Sequence, residues 1–217
     1  RGFYLRRLLG MGVPMGLQTS ITAIGSILLQ ASVNGLGSVA VASVTAANKL
    51  NQLFGCVFDA LGVSMSTYGG QNIGARRAER IFPGLRAGMV IGSVYSVLAL
   101  LLILFFGRPM MLLFVDSSET VIIGQAYQFM VIQAAFFIPL AGVNVIRLLV
   151  QGMGYSKLAM FAGVFEMIAR GAFGLFLVPR FGFLLACFAS PMAWLLADAF
   201  LIFAYCRVMR HVRQFGR

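Results

Sequence analysis

Apolar positions in this chain come in runs far longer than a strand or an amphipathic helix needs. Residues 87–107, AGMVIGSVYSVLALLLILFFG, lie uncharged between Arg86 and Arg108. A helix rising about 1.5 Å per residue needs roughly 20 residues to cross a hydrocarbon core of about 30 Å, so this run predicts one membrane span. Residues 8–48 carry no charge at all. They make up about two spans, with NGLGS (34–38) as the turn between them. The second of these helices continues through Lys49 and Asp59 to about Gly69. A further uncharged stretch lies between Glu119 and Arg147, with Pro139 as the expected kink. GMGYSK (152–157) turns the chain into the next run, and PRFG (179–182) turns it into the last, which ends near Cys206. The pattern predicts an all-α integral membrane protein. Its six-transmembrane-helix bundle has spans at 8–34, 39–69, 86–107, 120–151, 157–179 and 182–206.

Composition supports a bilayer as the solvent. Hydrophobic residues are 60% of the chain and charged residues 11%, where a soluble domain carries about 25% charged residues. Mean hydropathy is +0.91. The net charge of +11 would by itself suggest a nucleic-acid partner. The basic residues, however, sit between spans and show no interleaving with aromatics, so no nucleic-acid partner is expected. Alternating the loops puts 12 of the 17 basic residues on one side, including Arg6, Arg76, Arg77, Arg80, Arg86, Lys157, Arg207 and Arg210. The other side holds only Arg108 and Arg180, beside Asp116 and Glu119. The positive-inside bias then predicts a multi-pass membrane protein with both ends of this segment cytoplasmic. In the loop GQNIGARRAERI (70–81), Gly69 and Gly70 are expected to loosen the helix end. Its arginines would hold the turn on the anionic leaflet at about 1 kcal/mol each, with ARRAER starting a short interfacial helix.

Catalytic and metal patterns are missing from the sequence. Cys56, Cys187 and Cys206 have no CxxC or ligand spacing and read as small hydrophobes. His211 stands among arginines with no catalytic partner. There is no phosphate loop, no HExxH and no serine with histidine and aspartate partners. No enzyme, metal or cofactor is expected. A chain that opens on Arg1 and enters a span almost at once reads as a fragment of a longer protein.

Polar residues inside spans carry the remaining information, because each is costly unless paired or wet. Asn48, Gln52, Gly55, Asp59, Gly62 and Ser66 step by three and four along the second helix and share a face. Such a face serves either helix packing, with glycines allowing close approach, or the wall of an aqueous cleft in which Asp59 stays ionised. Lys49, ten residues from Asp59, is expected to snorkel to the outer interface. Gln18 and Thr22 follow Pro14 in the first helix, and Gln133 and Asn144 flank Pro139 in the fourth. Together these three helices suggest one shared cleft lined by substrate- or ion-binding candidates. Glu166 and Arg170, at i and i+4, read as a neutralised intramembrane pair, with a proton relay as the alternative. Asp198 has no partner evident in the sequence.

The ordered set GLGSVAVASVTAANKLNQL (35–53), STYGGQNIGARRAERI (66–81), LVQGMGYSK (149–157) and EMIAR (166–170) resembles the multidrug and toxic compound extrusion (MATE) family, in particular the carboxy-terminal half of a bacterial member. The resemblance implies one half of a two-bundle, twelve-helix transporter, with the amino-terminal bundle missing from this chain. It implies secondary export of amphipathic organic cations, driven by a proton or sodium gradient through alternating access, with no cofactor beyond the coupling ion. The implied partners are the lipid bilayer, the organic-cation substrate and the missing half of the polypeptide. Some branches place a glutamate where this chain has Thr22, and an aspartate near Ala141 and Gly142; with neither here, coupling in this half would fall to Asp59. Two alternatives stay open: a lipid-linked saccharide flippase of related fold, and a structural membrane protein without cargo.

Overall fold

The computed structural model describes residues 2–215, and the side chains of all of these except 3, 4, 7 and 213–215. Of the basic residues assigned to the cytoplasm, Arg1 and Arg217, and the side chains of Arg7 and Arg213, lie outside the described residues. The chain is helical: α1 (Gly2–Asn34), α2 (Ser38–Gly74), a 3-10 turn (Ala78–Arg80), α3 (Ile81–Met111), α4 (Thr120–Ala135), α5 (Phe137–Gly152), α6 (Ser156–Ala172), a π segment (Phe173–Leu177), α7 (Val178–Phe181) and α8 (Phe183–Phe215). No strand occurs among the described residues.

Four stretches are long and apolar enough to cross a membrane: Leu8–Asn34, Ala78–Met111, Ser156–Phe181 and Phe183–Val212. The pair α4 and α5, bent by 53°, makes a fifth. The bend falls at Phe136, the one residue between the two helices. Pro139 sits in the first turn of α5, where a missing N–H removes no helix bond. α2 is 37 residues long but is not among the apolar stretches. Asn48, Lys49, Asn51, Gln52 and Asp59 all lie within it, so the span predicted at 39–69 rests on length and packing. PRFG closes on Gly182, whose φ of 75° is left-handed backbone that glycine adopts without strain.

The loop after α2 differs from the sequence expectation. The helix does not loosen at Gly69 and Gly70; it runs on to Gly74. A Cβ on Gly70 would stand 3.1 Å from the Gly152 carbonyl oxygen, so this glycine admits α5 at close range. The helix ends one turn later. There Arg76 takes φ 57°, and the amides of Arg76 and Arg77 donate to the carbonyls of Ile73 (3.0 Å) and Asn72 (2.8 Å). This is the geometry usually given to glycine after a helix. The Tyr68 hydroxyl donates to the Arg80 carbonyl at 2.7 Å and ties the 3-10 turn back to α2.

α5 is the centre of the bundle, packing on α2, α3, α6 and α8, and residues 141–146 and 149–151 are all buried. α1 packs mainly on α6, α2 on α5 and α4, and α8 on α6 and α5. Outward surfaces are apolar: α3 exposes Val90, Ile91, Val94, Leu98 and Phe105, while burying Gly88, Gly92, Ser96 and Ala99. Small residues inside and large ones outside suit helices associating in lipid, where close backbone approach replaces the hydrophobic effect. Lys49 extends its ammonium over the Phe114 ring, 5.4 Å from the centroid, at the end of the bundle carrying the loop FVDSSE.

The cytoplasmic placement expected for GQNIGARRAERI from its charge carries a direct test in intact cells. A cysteine at Ser117 is expected to react with an impermeant thiol reagent and one at Ala78 to stay unlabelled. The reverse labelling overturns the orientation.

Candidate functional site

Two clefts lined by polar side chains open beside α1. The first, about 380 Å³, is lined by Gln18, Thr19 and Thr22 of α1 and Asn144, Arg147 and Gln151 of α5. The second, about 340 Å³, is lined chiefly by Ser26, Asn48, Asn51, Gln52, Gln133 and Trp194. On α1 the first lining ends at Thr22 and the second begins at Ser26, one turn on. On α5 the same step separates Asn144 from Leu140, which lines the second. The residues expected to share one cleft thus line two neighbouring grooves.

The predicted residues distribute between them. Gln18, Thr22 and Asn144 line the first compartment, and Asn48, Gln52 and Gln133 the second. Gln133 also ties helices together: its Nε2 donates to the Cys187 carbonyl of α8 at 3.0 Å, while its Oε1 is buried without a partner. Asn144 Nδ2 donates to the Leu140 carbonyl in its own helix. Asp59 lines neither compartment. It is exposed, on the same strip of α2 as Asn48 and Gln52 but two turns beyond Gln52. The buried face of α2 is set by Phe58, Gly62, Met65 and Gly69, so Gly62 belongs to packing against α5 and the Asn48–Gln52–Asp59 strip looks away from the core.

The charged centre lies beside the first compartment. Glu166 is 2% exposed and receives two arginines. Arg147 Nη1 of α5 donates to Oε1 at 2.8 Å, and Arg170 Nη2 of α6 to Oε2 at 3.2 Å. The i, i+4 pair read from the sequence is thus two-thirds of a triad. Charge-assisted bonds to both carboxylate oxygens satisfy Glu166, but Arg170 Nε and Nη1 are buried with no partner. Gln18 and Gln151 hydrogen-bond each other across the cleft. With the Gln18 amide turned over, its Oε1 instead accepts from Arg147 Nη1 (3.1 Å) and Nε (3.3 Å). α1 is thereby linked to the charged centre through one amide.

Arg147 and Gln151 are the functional-site residues that sequence reasoning missed. Their signal was present: with Asn144 they continue the polar strip of α5 at steps of three and four. Arg147 is the one charged side chain lining either compartment among the described residues.

Residues 14–176 match the MatE family. The chain is 27% identical over 137 residues to the "Probable multidrug resistance protein YpnP" of Bacillus subtilis (strain 168), a match covering 63% of this chain and 30% of that protein. It superposes on the crystal structure of MATE in the bent conformation with a TM-score of 0.86 at 15% identity, over 98% of this chain and 47% of that one. It also superposes on a MOP superfamily transporter from Pyrococcus furiosus Vc1 (DSM3638), described as having a binding pocket of reverse polarity. That TM-score is 0.74 at 21% identity, over 91% of this chain and 44% of the other. The chain spans about half the length of these transporters.

Proposed function

Because this chain belongs to the MatE family of membrane transporters, we propose that it is the carboxy-terminal half of a secondary exporter of amphipathic organic cations. Export runs by alternating access in a bacterial plasma membrane, with both ends of this segment cytoplasmic. A proton or sodium gradient drives it, and the partner half of the same polypeptide completes the cleft. The observation carrying this reading is the pair of open grooves lined by polar side chains in an otherwise apolar bundle. A structural protein without cargo would bury such side chains by packing, since unpaired polar groups in a membrane interior are costly.

Cation preference rests on Asp59. Its carboxylate lies on the strip that begins with Asn48 and Gln52, with no ion-pair partner among the described residues. It can therefore offer its charge to cargo or to a coupling ion. A lipid-linked saccharide flippase is the second reading, and Arg147 is the observation favouring it, because a guanidinium in the cleft wall suits a phosphate-bearing substrate.

The test uses Asp59→Asn in the full-length transporter, which keeps the shape of the side chain and removes its charge. Ethidium efflux from energised vesicles, compared at equal protein abundance, is expected to lose most of its rate. Wild-type efflux from the variant leaves Asp59 with a packing role and turns the reading towards the flippase.

A further inference from the structure

Asp198, like Asp59, is an intramembrane carboxylate outside both compartments and the Glu166 triad, but unlike Asp59 it is not exposed. It lies on α8, half-buried, and its Oδ1 is buried without a hydrogen-bond partner. Among the described residues it makes no ion pair. Its place against α5 depends on one glycine: a Cβ on Gly142 would stand 2.8 Å from Oδ2 and 2.9 Å from Oδ1. Two charged groups act on it, Arg147 from α5 and Glu166 from α6. Among the described residues α1, α4, α7 and the π segment, which also pack on α8, add none, and neither does α8 itself.

Counting charges gives this placement a consequence. Both oxygens of Glu166 are committed to Arg147 and Arg170, so the triad carries one net positive charge. An ionised Asp198 brings the four-residue set to neutrality, and a protonated Asp198 leaves it at one positive charge. Of the four, only Arg147 lines the first compartment. The potential in that compartment is therefore tied to the proton on Asp198.

We propose that Asp198 is a proton-binding site whose occupancy is read in the first compartment through Arg147. A proton on Asp198 leaves the Arg147 charge uncompensated and disfavours a cation in the compartment. Loss of the proton restores neutrality and admits the cation. The ligand is a proton rather than a metal cation, because two guanidiniums stand around the only other carboxylate that acts on Asp198, and like charge repels a metal ion there. This deepens the organic-cation reading above and rests on it. The expected change in cation affinity is on the order of tenfold, the scale of effect that one unit charge exerts within a bundle at an effective dielectric of about 20.

The experiment follows ethidium binding to the purified full-length transporter by fluorescence anisotropy from mildly acidic to mildly alkaline pH. Wild type is expected to bind more weakly towards acid. Asp198→Asn, fixed neutral, is expected to bind roughly tenfold more weakly at alkaline pH and to lose the dependence on Asp198. Arg147→Gln is expected to bind at acid pH as tightly as wild type does at alkaline pH, which also decides the matter should Asp198→Asn fail to fold. Infrared difference spectra give a readout without cargo, as wild type gains a protonated-carboxyl band on acidification that Asp198→Asn lacks. Unchanged affinity and pH dependence in Asp198→Asn, or binding at acid pH no tighter in Arg147→Gln than in wild type, overturns the proposal. Ethidium binding absent from wild type at every pH overturns the organic-cation reading instead, while the infrared band still reports whether Asp198 takes a proton.

Discussion

Glu166→Gln is expected to lower membrane yield and thermal stability more than any other single substitution considered for this chain. Glu166 is the only carboxylate bonded to Arg147 and Arg170 among the described residues. The substitution therefore leaves two guanidiniums facing a neutral amide inside the bundle. Removing one partner of a buried pair costs roughly 3–5 kcal/mol, and here the lost partner serves two charges. Adding Arg170→Gln is expected to restore part of the loss. Arg170 already has two buried nitrogens without partners, so removing its charge relieves more than it takes away. Arg147 would then keep its bonds to Gln18 and the field of Asp198. Thermal unfolding followed by size-exclusion chromatography of detergent extracts measures both effects. A Glu166→Gln protein as abundant and heat-stable as wild type, yet inactive in efflux, would refute the structural role and favour a proton relay through Glu166.

The second large effect is expected from Gly152→Ala. At the crossing of α2 and α5 a Cβ on Gly152 would collide with the backbone of Ser66. Backbone cannot swing aside as a flexible side chain can, so the two helices must separate. That movement disturbs Leu149 and Met153, which pack on Gly69 at the same crossing. Overpacking of this kind costs about 1–3 kcal/mol. Gly124→Ala serves as the control, since nothing lies within 4 Å of a Cβ there. In a helix interior that change is neutral or stabilising by up to about 1 kcal/mol. Equal unfolding temperatures for the two variants would show that α2 and α5 do not approach as closely as described.

Where helices start and turn was legible in the sequence because hydropathy is a property of consecutive residues. NGLGS, GMGYSK and PRFG each fall at a helix boundary, and the break at Phe136 lies just before Pro139, which the first turn of α5 accommodates. The Glu166–Arg170 pair was legible too, because residues four apart on a helix always face the same way. Arg147 was not. It reaches Glu166 from another helix, 19 positions away, and no periodicity within one helix encodes which neighbour packs against it. The α2 strip shows the same limit from the other side. Spacing put Asn48, Gln52, Asp59 and Gly62 on one broad face, but tertiary packing divided that face, giving Gly62 to α5 and leaving Asp59 outside both compartments. Gly69 and Gly70 read as a loosened helix end until the close approach of α5 showed what the missing side chains make room for. Asp198 had no partner in the linear sequence, and only the folded chain sets it against Gly142 and within reach of Arg147. The sequence determines each helix and the residues that share its faces, because those follow from a fixed rise and twist. Which face meets which neighbour depends on contacts between residues distant in the chain, and only the tertiary structure decides it.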